Sequence, residues 1–337
     1  MSASTKGPRN RVPSPPHPTE RHQPLPEYEP KSPREDPEAP DRVRAVMQDP
    51  SYAPADLDLS FLSRDDTRGV RLQLDYMKPE LLMREQGIRH TIVVFGSTRI
   101  LEPKHARRRV EELEAALESG AADETLVRRL SVARRVLENS RYYEVAREFG
   151  RLVGESEGPP GKRVVIMTGG GPGIMEAANR GATEAGARSV GLNITLPHEQ
   201  FPNPYLTPGL CFGFHYFAVR KLHFVLRARA LVAFPGGYGT LDELFETLTL
   251  IQTRKLQPVP VVLVGESYWR RVVDLDFLVA EGTIEPEDRE LIWFAETADQ
   301  IWEDIRHWYR GSRTQGERSW TSRSTAPTRR SRVRATW

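Results

Sequence analysis

The stretch Phe234-Pro235-Gly236-Gly237-Tyr238-Gly239-Thr240-Leu241-Asp242-Glu243 decides how this chain is read. Before it, Ala230-Leu231-Val232-Ala233-Phe234 is short, apolar and closed by a Pro-Gly-Gly turn, the pattern of a buried parallel strand. After it, Leu241, Leu244, Phe245 and Leu248 recur at helical spacing up to Thr253. Strand, glycine turn and helix follow in that order. Glycines let a backbone approach a ligand closely, and a helix start offers unpaired N–H groups at the positive end of its dipole. The stretch therefore predicts an anion site, with phosphate as the expected anion.

A second strand meets a second glycine turn upstream. Arg163 to Thr168 runs into Gly169-Gly170-Gly171-Pro172-Gly173, and a helix is predicted from Ile174 to about Ala185. A tight turn alone would use fewer glycines, so ligand contact is the fuller account of this loop. Thr91 to Ser97 reads as the first core strand, and Gly96-Ser97-Thr98-Arg99 at its end is either a plain turn or a source of a hydroxyl and a guanidinium. Further strands are predicted at 189–194, 259–264 and 291–295, with a short one at Phe212–Phe214. Helices are predicted at 142–153, 216–227, 268–280 and 298–309. Alternating strands and helices joined by short turns give an α/β fold, doubly wound around a mainly parallel sheet with helices on both faces. Ligands of such sheets sit beyond the carboxyl ends of the strands, where both glycine loops would lie.

Between the first strand and its crossover helix, residues 104–139 change to Arg, Glu, Ala and Leu. Val110, Leu113 and Leu117 share one helical face, and Leu130, Ala133 and Leu137 another. This is read as an inserted helical hairpin. The run Arg107-Arg108-Arg109 is followed at once by Glu111, Glu112 and Glu114, which suits a solvated face laced with ion pairs rather than a nucleic-acid patch. Ahead of the sheet, Val70 to Met77 is expected as an amphipathic helix interrupted at Lys78-Pro79, with Leu81 and Leu82 in a second short one.

Residues 1–57 hold roughly half of the 27 prolines and are expected to be a disordered tail, Pro-Ser-Pro-Pro-His-Pro at 13–18 included. Residues 311–337 are expected to form a disordered basic tail, and 58–310 the folded domain. The chain has 337 residues, a formal net charge of +2 and one cysteine, Cys211, so no disulfide framework or multi-cysteine metal site is possible. Cys211 is expected to be a buried small hydrophobe. No run approaches the roughly 18 apolar residues of a membrane span, and the N-terminus shows no secretory h-region, which makes the cytoplasm the expected compartment.

Neither glycine loop is a common nucleotide fingerprint. Gly169 to Ile174 fails G-x-G-x-x-G at its last position, and no P-loop pattern exists. His215, His223 and His198-Glu199 lack metal-ligand spacing, so no metal is expected. Thr240-Leu241-Asp242-Glu243 fits a capping box, with Thr240 as N-cap and Glu243 at N3, and equally allows the Glu243 carboxylate to do chemistry. Arg220, early in its helix, opposes the helix dipole. It either shares a solvated face with Lys221 or meets an anionic partner.

Pro235-Gly236-Gly237-Tyr238-Gly239-Thr240-Leu241-Asp242-Glu243 resembles the PGGxGTxxE signature of the Lonely Guy (LOG) family. Thr168-Gly169-Gly170-Gly171-Pro172-Gly173-Ile174-Met175 is similar to that family's other glycine motif, and Arg220-Lys221 to its Arg-Lys pair. The resemblance covers about 91–264. It implies a Rossmann-like fold and hydrolysis of the N-glycosidic bond of adenine-type nucleoside 5′-monophosphates, AMP or N6-prenylated cytokinin forms, to free base and ribose 5-phosphate. It further implies Arg220 and Glu243 as the catalytic pair, with Gly236, Gly237, Gly239, Thr240, Gly170, Gly171 and Ser97 around the phosphate and ribose. No cofactor is implied, and a homo-oligomer is. The alternatives are a non-catalytic nucleotide-binding module of the same fold and, from an older family label, a pyridoxal-phosphate lysine decarboxylase using Lys221. No membrane or nucleic-acid partner is expected.

Overall fold

In the computed structural model, residues 31–120, 123–156, 163–194 and 201–314 are described, with side chains to residue 310. The chain divides into two compact units, Met1–Arg68 and Gly69–Trp337. In the first, α1 (Ala39–Gln48) and a short 3-10 turn (Pro50–Tyr52) stand where disorder was expected up to residue 57, and α2 (Leu59–Leu62) follows within the expected folded region. Their order is local. Asp49 and Asp58 accept the backbone N–H groups that open the following turns, and Arg42 bridges Asp36 and Glu38. The expectations for 13–18 and for His198-Glu199 lie outside the described residues.

The second unit is built on a seven-stranded parallel sheet of order β4-β3-β2-β1-β5-β6-β7. The strands are β1 (His90–Phe95), β2 (Val164–Thr168), β3 (Ser189–Ile194), β4 (Cys211–Phe214), β5 (Ala228–Ala233), β6 (Val261–Val264) and β7 (Ile292–Ala295). All six ladders between neighbours are parallel. The central strands are buried on both faces, so they read in sequence as continuous apolar runs. Alternation along β1 divides the core. Ile92 and Val94 face a layer formed by α6 (Arg141–Gly154), α7 (Ile174–Glu184) and α12 (Ala298–Thr314). Val93 and Phe95 face the opposite layer of α3 (Arg68–Glu85), α8 (Phe217–Leu226), α9 (Tyr238–Gln252) and α10 (Glu266–Val272).

The chain leaves β1 toward β2, β3 and β4 on one side, then returns to place β5 against the other side of β1. Phe95 pairs with Ala233 at the carboxyl ends of these two strands. The topological switch therefore lies between β1 and β5, and the loops after both strands open there.

Helices α4 (Pro103–Glu118) and α5 (Glu124–Asn139) occupy the 104–139 segment and share a small core of Val110, Leu113, Leu130 and Ala133. Arg108 and Arg109 both pair with Glu112 at 3.1 Å, the arrangement of a solvated ion-paired face.

Several details differ from expectation. Helix α3 runs through Pro79 without ending, because Pro79 is buried in the packed face that Met83 anchors. The helix expected at 268–280 is divided into α10 and α11 (Leu275–Ala280), since Asp274 accepts the Phe277 N–H and starts a new helix. Helix α12 continues to Thr314, past the expected boundary at 310. Cys211 is exposed rather than buried, because β4 is an edge strand on which Phe212 and Phe214 take the inward positions.

Candidate active site

Three strand ends build one rim. At the β1 end, the Ser97 N–H donates to the Pro235 carbonyl at 2.9 Å, and the Ser97 carbonyl accepts from Ile174 N–H at 3.2 Å. Ser97 thus ties the glycine loop after β5 to the helix start that follows the loop after β2. Its hydroxyl accepts the Arg99 N–H at 3.1 Å, so the turn is closed from within. A side chain at Gly173 would collide with the Ser97 carbonyl, and its φ of +72° lies in the region glycine alone adopts freely. The two glycine loops converge at one edge of the sheet.

The loop after β2 is braced by amides that sequence reasoning did not single out. Asn203 donates its backbone N–H to the Gly170 carbonyl at 2.9 Å and its Nδ2 to the Gly171 carbonyl at 3.0 Å. The same Nδ2 reaches Asn179 Oδ1, which also accepts from the Thr168 hydroxyl at 2.8 Å. Gly170 N–H donates back to Thr168 Oγ1 at 3.0 Å. Asn179 is fully buried and Asn203 nearly so. An Asn in a proline-rich loop was the only signal available for this.

The loop after β5 enters α9 at Gly237, the N-cap, which corrects the capping-box expectation. Thr240 is the third helical residue, not the cap, and its N–H returns to the Gly237 carbonyl at 3.0 Å. The Gly-Tyr-Gly segment already winds as helix, so Glu243 falls a turn deeper than N3. The first N–H groups, of Tyr238 and Gly239, have no helical acceptor by virtue of their position. Gly237 and Gly239 are exposed at this start, whereas Gly236, Thr240, Gly170 and Gly171 are buried. Gly236 packs so tightly on Thr240 that a side chain would overlap it, and its carbonyl accepts the Tyr268 hydroxyl at 2.6 Å. A cavity of about 570 Å³ runs along α9 from Tyr238 to Leu250.

Glu243 and Arg220 meet at this rim. Arg220 donates Nε to the Leu192 carbonyl at 2.7 Å and lies over the Phe224 ring, 5.0 Å from its centroid. Its Nη1 stands 3.8 Å from Glu243 Oε1. An alanine Cβ at Gly169 would fall 2.6 Å from Arg220 Nη2, so the missing side chain at that glycine makes room for the guanidinium. Arg220 is therefore not on a solvated face. Its conflict with the helix dipole is answered by a carboxylate and a carbonyl.

Burial pushes the Glu243 carboxyl up to about 7, and the Arg220 and Lys221 charges restrain the rise. Burial likewise pulls Arg220 below its ordinary value, against the opposing pull of Glu243 and Asp242. A guanidinium nevertheless stays charged. For Lys221 burial lowers the amine, but hydrogen bonds from its Nζ to Asp242 at 2.7 Å and Glu246 at 3.2 Å outweigh it and hold it above its usual value. The arrangement offers one acid–base carboxyl poised near neutrality beside a fixed cation and two glycine cradles. No helix among the described residues is long and apolar enough to cross a membrane.

Residues 175–305 match the family model described as possible lysine decarboxylase. Over 140 residues the chain is 32% identical to the rice (Oryza sativa subsp. japonica) protein named probable cytokinin riboside 5′-monophosphate phosphoribohydrolase LOGL5, covering 41% of this chain and 56% of that one. The rice protein cytokinin riboside 5′-monophosphate phosphoribohydrolase LOG is 29% identical over 164 residues, covering 48% and 64%. The Arabidopsis thaliana protein of the same name, LOG3, is 30% identical over 141 residues, covering 41% and 64%. This chain therefore spans 56–64% of the length of these relatives. The segment that these comparisons match carries Arg220, Glu243 and the glycine turn between them, and over it the chain is similar to proteins named for the Lonely Guy (LOG) family.

Proposed function

We propose that this chain hydrolyses the N-glycosidic bond of adenine-type nucleoside 5′-monophosphates, AMP or its N6-substituted cytokinin forms. Water is consumed, and the free base and ribose 5-phosphate are released. The observation that carries this reading is the buried Glu243 carboxyl, raised to about 7, facing Arg220 at the rim where both glycine loops converge. The relatives above are named cytokinin riboside 5′-monophosphate phosphoribohydrolases, LOGL5 as a probable one, which supports the same chemistry.

In this reading the 5′-phosphate sits at the α9 start, on the backbone of Gly236, Gly237 and Gly239 and the Thr240 region, where N–H groups and the helix dipole favour an anion. Gly170, Gly171 and Ser97 border the ribose. Breaking the C1′–N bond leaves positive charge on the sugar ring, which a carboxylate stabilises while orienting and deprotonating the attacking water. Glu243 takes that role; a base working near its own pKa is efficient at neutral pH. Arg220 holds Glu243 and the ribose-phosphate in place. Phosphate contacts remote from C1′ supply orienting energy.

A Schiff-base decarboxylase needs a lysine that can shed its proton. Lys221 is ion-paired with two carboxylates and raised, which disfavours that reading. We further expect a homo-oligomer in the cytoplasm, working without a metal or organic cofactor.

The test is a chromatographic assay of AMP, N6-isopentenyl-AMP and adenosine with the full chain. Base should be released from one or both nucleotides and scarcely from adenosine. Binding of AMP without any cleavage over hours would instead select the non-catalytic nucleotide-binding reading.

A further inference from the structure

A second cavity, of about 730 Å³, opens between Thr98-Arg99, in the loop after β1, and the hairpin α4/α5. Its walls combine apolar side chains, Leu113 and Val132 among them, with four guanidinium groups, Arg99, Arg109, Arg128 and Arg129. Other hairpin arginines carry carboxylate partners: Arg108 pairs with Glu112, Arg134 with Glu114 and Arg135 with Glu138. Arg109 shares Glu112 with Arg108. Among the described residues no carboxylate pairs with Arg99, Arg128 or Arg129. Like charges gathered around one hollow repel each other unless an anion joins them.

The volume suits a molecule of nucleotide size, since small-ligand cavities run to roughly 300–1,000 Å³. Guanidinium forks match phosphate oxygens, and an apolar wall suits a ring or alkyl portion. One phosphate could not answer three separate cations, so the chemistry asks for several. We propose that this groove binds a multiply phosphorylated small molecule with an apolar portion, of the nucleoside polyphosphate class, at a site separate from the Glu243 rim. The groove uses none of the residues assigned to hydrolysis, so it stands or falls independently of the proposed reaction.

ATP is the probe. Calorimetric titration of the full chain should show saturable binding that the double variant Arg128→Gln/Arg129→Gln weakens at least tenfold, while Arg220→Gln leaves it in place. Circular dichroism should show the double variant folded and melting as the parent does. Absence of saturable ATP binding would overturn the proposal. So would binding that survives in the double variant and disappears in Arg220→Gln, which would place ATP at the Glu243 rim. A double variant that binds ATP normally but sediments at a different mass would overturn it too, by making the groove a contact between copies of the chain.

Discussion

Glu243 Oε1 and Arg220 Nη1 stand 3.8 Å apart, with 7% and 13% of their side chains exposed. Close enough to attract yet too far for a direct hydrogen bond, the pair leaves the carboxylate free to bond something else. Its burial raises Glu243 while Arg220 limits the rise. That balance sets the first expectation.

If Glu243 acts as a base, kcat/KM should climb with pH through about 7 and then level off. Arg220→Gln removes the charge that lowers Glu243, so the limb should move to higher pH as the plateau falls. A limb that stays in place in Arg220→Gln, read from a pH–rate profile, would separate the titrating group from Glu243.

Stability should respond in the opposite sense. Folded Glu243 holds its proton to about 7 and the unfolded chain only to about 4.5. Between those values the folded state binds more protons, so this residue's contribution falls as pH rises and is lowest above about 7. The strain is worth at most about 3 kcal/mol. Glu243→Gln should therefore melt higher than the parent at pH 8, with the gap closing toward pH 4.5. Equal melting curves at pH 8 would show that the carboxyl carries no such cost.

Gly169→Ala places a methyl group against the ends of two side chains, Arg220 Nη2 at 2.6 Å and Met175 Sδ at 2.9 Å, and not against backbone. Folding should change by under about 1 kcal/mol, within the range of ordinary substitutions. Activity should fall at least tenfold, because the displaced guanidinium no longer sits beside Glu243. Gly213→Ala, where a Cβ meets nothing within 4 Å, is the matched control and should keep full activity.

Tyr268→Phe removes the hydroxyl bond to the Gly236 carbonyl at a cost of about 1 kcal/mol. If the loop after β5 holds the substrate phosphate as proposed, loosening it should raise KM more than it lowers kcat. Unchanged steady-state constants would mean that Pro235 and Ser97 hold this loop without help.

Much of this architecture could be read from the chain. Strands such as 230–234 and 164–168 are buried on both faces, so they appear as unbroken apolar runs ending in glycine. The glycine turns marked the carboxyl edge of the sheet because each follows a strand. Asn179, Asn203 and Tyr268 were not legible, since a lone polar residue acquires its role only when distant segments enclose it. The Thr240–Glu243 spacing imitated a capping box because the pattern carries no record of where helical winding begins, and Gly237 begins it earlier. Helix α1 was not legible because its apolar residues at helical spacing, Val43, Val46 and Met47, are few and stay exposed, and they stand in a proline-rich background that reads as a tail.

The most direct measurement compares adenine and ribose 5-phosphate release from AMP by the parent chain and by Glu243→Gln, with nucleotide binding measured on both. The account predicts equimolar products from the parent, a loss of at least about a hundredfold in kcat for the variant, as expected when a general base is removed, and retained binding. Equal turnover by Glu243→Gln, or intact AMP after prolonged incubation with the parent, would contradict it.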